Sequence, residues 1–318
     1  LKPDVANQIA DKFIEKDKVA LVTGVTFSNI MLAVHKKITD ANIFLIGSTA
    51  GPAPIAGASC SPYQFITSWQ NDMQAEVVGE YARLRGFKRV VALASNYQAG
   101  KDFIAGFKRN FKDPLLAEIY TPLAQMDYSA ELAQIEAQKP DALYFFYPGA
   151  VGVSFIKQLA QSSLAGKVTI LSSSSIDATT LRGMGEMAMG AYAGTFWAQD
   201  FRNEVSRKFV ADFEAKYGRI PSQFAAQSYD AALLIDSALK KAAGRVDDKK
   251  ALQAALKAAD FASVRGKLVF GSNHFPVQDM YILQVDKDNK GRVNLKTVGN
   301  ILPAHADFYA KECKMRAL

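Results

Sequence analysis

Histidine and cysteine are scarce in this chain, and that scarcity removes most metal-centred and nucleophilic chemistry. Three histidines, His35, His274 and His305, occur in 318 residues. They fall on a helix-period segment, in a turn and in the tail, without the short spacings of a zinc site. The two cysteines, Cys60 and Cys313, stand far apart and lack C-x-x-C spacing. Such an isolated pair is neither a redox motif nor a metal site. No G-x-G-x-x-G follows a strand, and there is no G-x-x-x-x-G-K-[ST] loop, no G-x-S-x-G elbow and no H-E-x-x-H pair. Gly183-Met184-Gly185 opens like a dinucleotide loop but lacks the third glycine and a strand before it. Glu76 and Glu80 lie one helical turn apart and away from any strand end, which reads as solvated charge rather than an acid–base pair. The chain reads as a protein without catalysis, cofactor or metal.

Long apolar runs are missing as well. Nothing approaches the ~20 residues that cross a bilayer, and no basic-then-apolar segment opens the chain. The expectation is a soluble protein from which any export signal has been removed. The net charge is +7, yet Lys and Arg are interspersed with Asp and Glu and form no extended stripe. A solvated surface, with no nucleic-acid face, follows.

What the chain does contain is a regular alternation of short β-rich runs and longer helix-period segments, the pattern of mostly parallel sheets covered by helices. Strands are expected at 19–23, 43–46, 89–94, 115–120, 142–147, 168–171 and 191–196. Apolar stripes mark helices at Val5, Ile9 and Phe13, at Phe103, Phe107 and Phe111, and at Val205, Phe209, Phe213 and Tyr217. All three stripes are read as core faces. Gly86, Gly218 and Gly244 read as helix stops. From Lys267 onward the period becomes that of strands at 268–270, 280–285 and 293–298, with a hairpin turn at 286–292. The length exceeds what one core usually serves, so two lobes are expected. The helix at the start feeds a strand that would normally be preceded by another strand, so an initial unit of ~30 or more residues is expected to be absent.

In open α/β sheets ligands collect at the carboxyl ends of the strands. Five loops in such positions are alike in composition, since residues 24–29, 47–52, 95–100, 147–150 and 172–175 are rich in Gly, Ser, Thr and Asn. Glycines and hydroxyls before a helix let N–H groups approach an anion that the helix dipole favours. Each loop alone is equally an ordinary N-cap. Together, with Phe27, Tyr97, Tyr147, Trp69 and Trp197 among them, they describe an aromatic-walled cleft with a carboxylate cradle.

The order of several segments resembles a known family. The segments are Pro3-Asp4-Val5-Ala6, Thr49-Ala50-Gly51-Pro52, Asn96-Tyr97-Gln98-Ala99-Gly100-Lys101-Asp102, Lys139-Pro140-Asp141-Ala142, Phe155-Ile156-Lys157-Gln158 and Ser228-Tyr229-Asp230-Ala231-Ala232. They resemble the solute-binding proteins of bacterial ABC uptake systems, of the branched-chain amino acid (Leu/Ile/Val) type. The resemblance implies a type I periplasmic binding protein, a Venus flytrap of two α/β lobes that closes by hinge motion. Lobe I would comprise residues 1–70 and 199–270, lobe II 71–198 and 271–299, with a tail at 300–318 and crossings near 68–72, 197–200 and 271–276. It also implies a monomer in the periplasm, a small carboxylate as ligand and a membrane permease as partner. Ligand contacts would fall on Thr26, Phe27, Ser28, Ser48, Thr49, Ala50 and Gly51 in the first lobe, and on Tyr97, Tyr147, Gly149, Ser174 and Trp197. Cys60 and Cys313 are either isolated thiols or one disulfide, and the oxidising compartment implied by the resemblance favours the disulfide.

One departure from the pattern concerns the ligand. Amino-acid binders of this type hold the α-ammonium with an acidic side chain where this chain has Ser172 to Ser175, and a buried ammonium without a counter-charge is costly. Asp177 lies two residues on, and a small shift of alignment would restore the anchor. Phe27 stands where amino-acid binders often have a serine. The overall look is that of the subgroup binding aromatic acids, such as benzoate or hydroxycinnamate derivatives. The alternatives are a branched-chain or other amino-acid binder, an effector-binding sensor domain and, as a different class, an α/β enzyme.

Overall fold

Alternation of strand and helix periods produces two separate sheets. The structure is a computed structural model that describes residues 2–316 and residue 318. The chain opens with α1 (Pro3–Asp11), continued by a π-turn, then β1 (Leu21–Gly24), α2 (Ser28–Asp40), β2 (Phe44–Gly47), α3 (Ala53–Ala56) and β3 (Gln64–Ile66). Next come α4 (Asn71–Leu84), β4 (Val90–Ser95), α5 (Gln98–Phe111), β5 (Ala117–Thr121), α6 (Ser129–Gln138), β6 (Ala142–Phe146), α7 (Ala150–Gln161), β7 (Thr169–Ser173), α8 (Leu181–Met184) and β8 (Tyr192–Thr195). The remainder is α9 (Glu204–Tyr217), α10 (Gln223–Lys241), α11 (Lys249–Ala258), β9 (Val269–Phe270), β10 (Pro276–Lys287) and β11 (Val293–His305).

The first sheet has the order β1-β2-β3, all parallel. Phe44, Ile46 and Phe65 face α10 and α11 on one side, while Leu45 and Ile66 face α2 and Ala10 of α1 on the other. The second sheet runs β11-β10-β8-β7-β6-β4-β5, parallel from β5 to β8, with β10 antiparallel to both its neighbours. Helices cover both faces of its centre, so β4 and β6 are buried along their whole length, whereas the outer strands β5 and β11 are partly exposed. Ala92 and Ala94 of β4 and Tyr144 and Phe146 of β6 face α4 and α5; Val91, Leu93, Leu143 and Phe145 face the α6 and α7 side. Two α/β lobes around separate sheets are the type I periplasmic binding protein architecture. The chain adds β5 on one side of β4 and then lays β6 on the other, which opens a crevice between the loops after β4 and β6.

Several expectations need correction. Val5 and Ile9 are about half exposed, because α1 turns Ala6 and Ala10 inward instead. Tyr217 at the end of the third stripe is also exposed. Glu76 is buried rather than solvated, held by Arg109 and His305, while Glu80 pairs with Arg83 at the surface. The tail expected from residue 300 begins inside β11, which runs to His305 and pairs with β10 as far as Gln278. Beyond it the chain runs along α4 and α5 to the first lobe. Phe308 lies under the Arg109 guanidinium, Tyr309 donates its hydroxyl hydrogen to Asp72, and Cys313 is bonded to Cys60.

Candidate functional site

The ends of β1 and β2 in one lobe and of β4, β6 and β7 in the other point at each other across a cavity of about 100 Å³. The first lobe supplies Thr26, Phe27, Ser28, Thr49 and Ala50, and the second supplies Tyr97, Phe103, Phe146, Gly149, Ser174, Thr179 and Thr180. Trp69 and Asn71, on the segment leaving β3, and Phe224 of α10 complete the wall. Among the described residues lining the cavity, none carries a charge.

Aromatic rings form a continuous surface. Phe27 lies 6.3 Å from Tyr97 across the lobes, Tyr97 6.2 Å from Phe146, and Phe146 stacks on Phe103 at 4.0 Å. Trp69 and Phe224 meet edge to face at 6.0 Å. Burial holds the Tyr97 hydroxyl well above the usual phenol range, so it is a neutral donor at physiological pH.

The polar groups are arranged at helix starts. Phe27, Tyr97 and Gly149 occupy the N-cap positions of α2, α5 and α7, and none of these helices has a side-chain cap. Away from the cavity, α9 and α11 are capped by Asn203 and Asp248. The Ser, Thr and Asn of the cavity loops therefore do not serve their own helices, which leaves first-turn N–H groups for an anion. Val25 and Ser174 have φ of 63° and 62°, and each introduces one edge of the cavity. A β-branched residue in the left-handed region is strained, a cost that concentrates at functional sites.

Beneath the floor is a network of buried polar groups. Asn71 Nδ2 donates to Asp102 Oδ2 at 2.9 Å and to Ser28 Oγ at 3.1 Å. Asp102 also accepts from the Ala53 N–H and Gln98 Nε2. Burial, reinforced by nearby Asp72, pushes the Asp102 carboxyl up to about 7 against the pull of those hydrogen bonds. Gln227 Nε2 donates to Thr49 Oγ1, and the Trp69 indole N–H is buried with no acceptor among the described residues.

A periplasmic binding protein model matches residues 1–291. The chain belongs to that family. This binding protein superposes on a solute-binding protein of an ABC transporter from R. palustris, solved in complex with benzoate, with a TM-score of 0.92 and 30% identity over 98% of this chain and 86% of that one. A solute-binding protein from Rhodopseudomonas palustris BisB5, in complex with 3,4-dihydroxy benzoic acid, gives 0.85 and 28% over 95% of this chain and 85% of that one. Among curated relatives, the Leu/Ile/Val-binding protein homolog 6 of Brucella melitensis is 25% identical over 91% of this chain and 76% of its own length.

Of the residues singled out from the sequence of this binding protein, Thr26, Phe27, Ser28, Thr49, Ala50, Tyr97, Gly149 and Ser174 meet at the cavity. Ser48 and Gly51 sit behind the wall: Ser48 N–H donates to Gly24 O, and Gly51 O accepts from Asn71 N–H. Tyr147 is turned away. Side chains alternate along a strand and its extension, so Phe146 faces the cavity and Tyr147 packs with Tyr128 and Phe155 on the opposite face. Trp197 is also elsewhere, its indole N–H donating to Ser206 Oγ and its ring against Phe209. Asp177 is not in the wall either; its Oδ1 accepts from Thr179 and Thr180, and burial raises its carboxyl. Sequence reasoning missed Asn71, Phe103, Phe146 and Phe224. Phe146 was findable from strand parity, whereas Phe224 reaches the site only through the packing of α10.

Proposed function

We propose that this protein is a periplasmic solute-binding protein that captures an aromatic carboxylate and delivers it to an ABC permease, acting as a monomer without turnover and without a nucleic-acid partner. Lobe boundaries at 1–70 with 199–270 and at 71–198 with 271–299, with hinge closure at the three crossings, belong to the same reading. The observation that carries it is a ring-lined, uncharged cavity between two lobes whose polar groups are uncapped helix starts, hydroxyls and an indole N–H. At about 100 Å³ the cavity is below the roughly 150 Å³ that holds benzene, which limits any ligand to a single ring at most. The benzoate and dihydroxybenzoate complexes of similar proteins support the choice of ring. An α-amino acid would bring an ammonium group to a wall with no acid among the described residues, since Asp177 lies outside it with Oδ1 held by Thr179 and Thr180.

Thermal-shift and calorimetric titration of the purified protein against benzoate, hydroxybenzoates, leucine and valine tests this. A ligand at about 100 times its Kd adds about 2.7 kcal/mol of stability. Stabilisation by benzoates and not by leucine is expected; stabilisation by leucine alone, or turnover of any ligand, overturns the reading.

A further inference from the structure

The Asn71 side chain has a fixed orientation. Its Oδ1 accepts from the Gly51 N–H at 3.3 Å, and its Nδ2 donates to Asp102 Oδ2 and Ser28 Oγ. A flipped amide would set its NH2 against the Gly51 N–H and its oxygen against a carboxylate oxygen, so one orientation satisfies both ends. Asp102 Oδ2 faces two N–H donors, from Asn71 and Ala53, so a proton on this carboxyl would sit on Oδ1 and leave the arrangement intact.

The consequence falls on Ser28. A hydroxyl has one hydrogen and two lone pairs. One lone pair is taken by the Asn71 N–H, and among the described residues Ser28 Oγ donates to none. Ser28 is 2% exposed and lines the cavity, so its hydrogen has the cavity as its outlet. The buried Trp69 indole N–H is a second donor in the same wall with no acceptor among the described residues. A carboxylate only accepts hydrogen bonds, whereas a carboxamide of the same shape carries an NH2 that would meet these donors head-on.

We propose that Asn71 is a positioning residue that, by donating to Ser28 Oγ, turns the Ser28 hydroxyl hydrogen toward the cavity, and thereby favours a carboxylate over its isosteric amide. The proposal rests on the aromatic-carboxylate reading of the site. Asn71 acts through Ser28 rather than by contact with the ligand.

The test is calorimetric titration of benzoate and benzamide into the wild-type protein, Ser28→Ala, Asn71→Ala and the double variant. Ser28→Ala is expected to lower the benzoate-to-benzamide affinity ratio by about tenfold, mostly through weaker benzoate binding. Asn71→Ala should lower the ratio by about fivefold when Ser28 is present and by less than about twofold when it is absent, since residues acting in one chain are not additive. An unchanged ratio in Ser28→Ala overturns the proposal, even if Asn71→Ala fails to fold. So does an Asn71→Ala effect that weakens both ligands equally or persists undiminished without Ser28. Absence of benzoate binding by the wild-type protein overturns the aromatic-carboxylate reading, and the proposal with it.

Discussion

Arg265 and Asp230 form an ion pair that water does not reach: Nε donates to Oδ2 at 3.0 Å, with side-chain exposures of 3% and 0%. The rest of the guanidinium is held by groups from three other segments. Nη2 donates to Thr67 O, Nη1 to Gln278 Oε1, and the group lies 4.2 Å over Phe196. Thr67 follows β3, Phe196 follows β8 and Gln278 lies in β10, so one side chain ties together three segments that are far apart in sequence. Removing one member of a buried pair strands the other charge, so Arg265→Met should cost about 3–5 kcal/mol, read from the shift in urea midpoint. Adding Asp230→Leu should recover part of that loss; a single variant within about 1 kcal/mol of wild type would show that the pair is dispensable.

Ring contacts should divide the aromatic residues by function. Phe27→Ala and Tyr97→Ala are each expected to weaken benzoate binding by ~1–3 kcal/mol in calorimetry. Tyr147→Phe, on the opposite face of the sheet, should leave affinity within about twofold. Equal effects at Tyr97 and Tyr147 would mean that the cavity is not the binding site.

Gly51 allows the segments after β2 and β3 to touch. A Cβ there would stand 2.0 Å from Trp69 O and 3.0 Å from the Phe275 ring. Backbone must move to admit it, so Gly51→Ala should destabilise the fold by about 1–3 kcal/mol and displace Thr49 and Trp69 together. Denaturant unfolding and ligand titration report the two effects; a variant with wild-type stability would contradict the contact.

Acid stability has opposing contributions. His274 stacks on Phe65 at 4.1 Å, its Nδ1 donates to Gln64 O, and burial lowers its pKa from 6.5 to about 4. The unfolded chain then binds more protons than the folded one, so stability from this group is lost as pH falls from about 6.5 to 4, by up to about 3 kcal/mol. Asp102 and Asp307, pushed up to about 7 and about 6 by burial, act in the other direction. Their contribution is present below the unfolded value of 3.8 and is lost as pH rises through their folded values. His274→Asn keeps a donor and tolerates the φ of 60° at this position. It is expected to lose stability at pH 7 and to gain stability on acidification to pH 5 relative to wild type, in urea unfolding at about two or three pH values.

Much of this architecture was legible because both periods are strong. The strands expected at 43–46, 89–94 and 142–147 appear at Phe44–Gly47, Val90–Ser95 and Ala142–Phe146. β3 was not legible: Gln64–Ile66 has three residues and owes its existence to pairing with β2. The extensions of β10 and β11 carry Pro276, at the first position of its strand, and Pro303, on an edge strand, places where a strand tolerates proline but where composition alone suggests a break. In the site, loop composition located the cradle, but composition does not say which way a ring points. Tyr147 and Trp197 differ from Tyr97 and Trp69 only in orientation, which depends on sheet parity and on packing against Ser206 and Phe209.

The bond between Cys60 and Cys313 spans 253 residues of sequence. A growing chain exposes the first sulfur long before the second exists, so Cys60 waits for its native partner while the residues between them are made. The native link can be made only after both sheets have been synthesised. A molecule carrying it has already brought the segment after β11 back against the loop before β3.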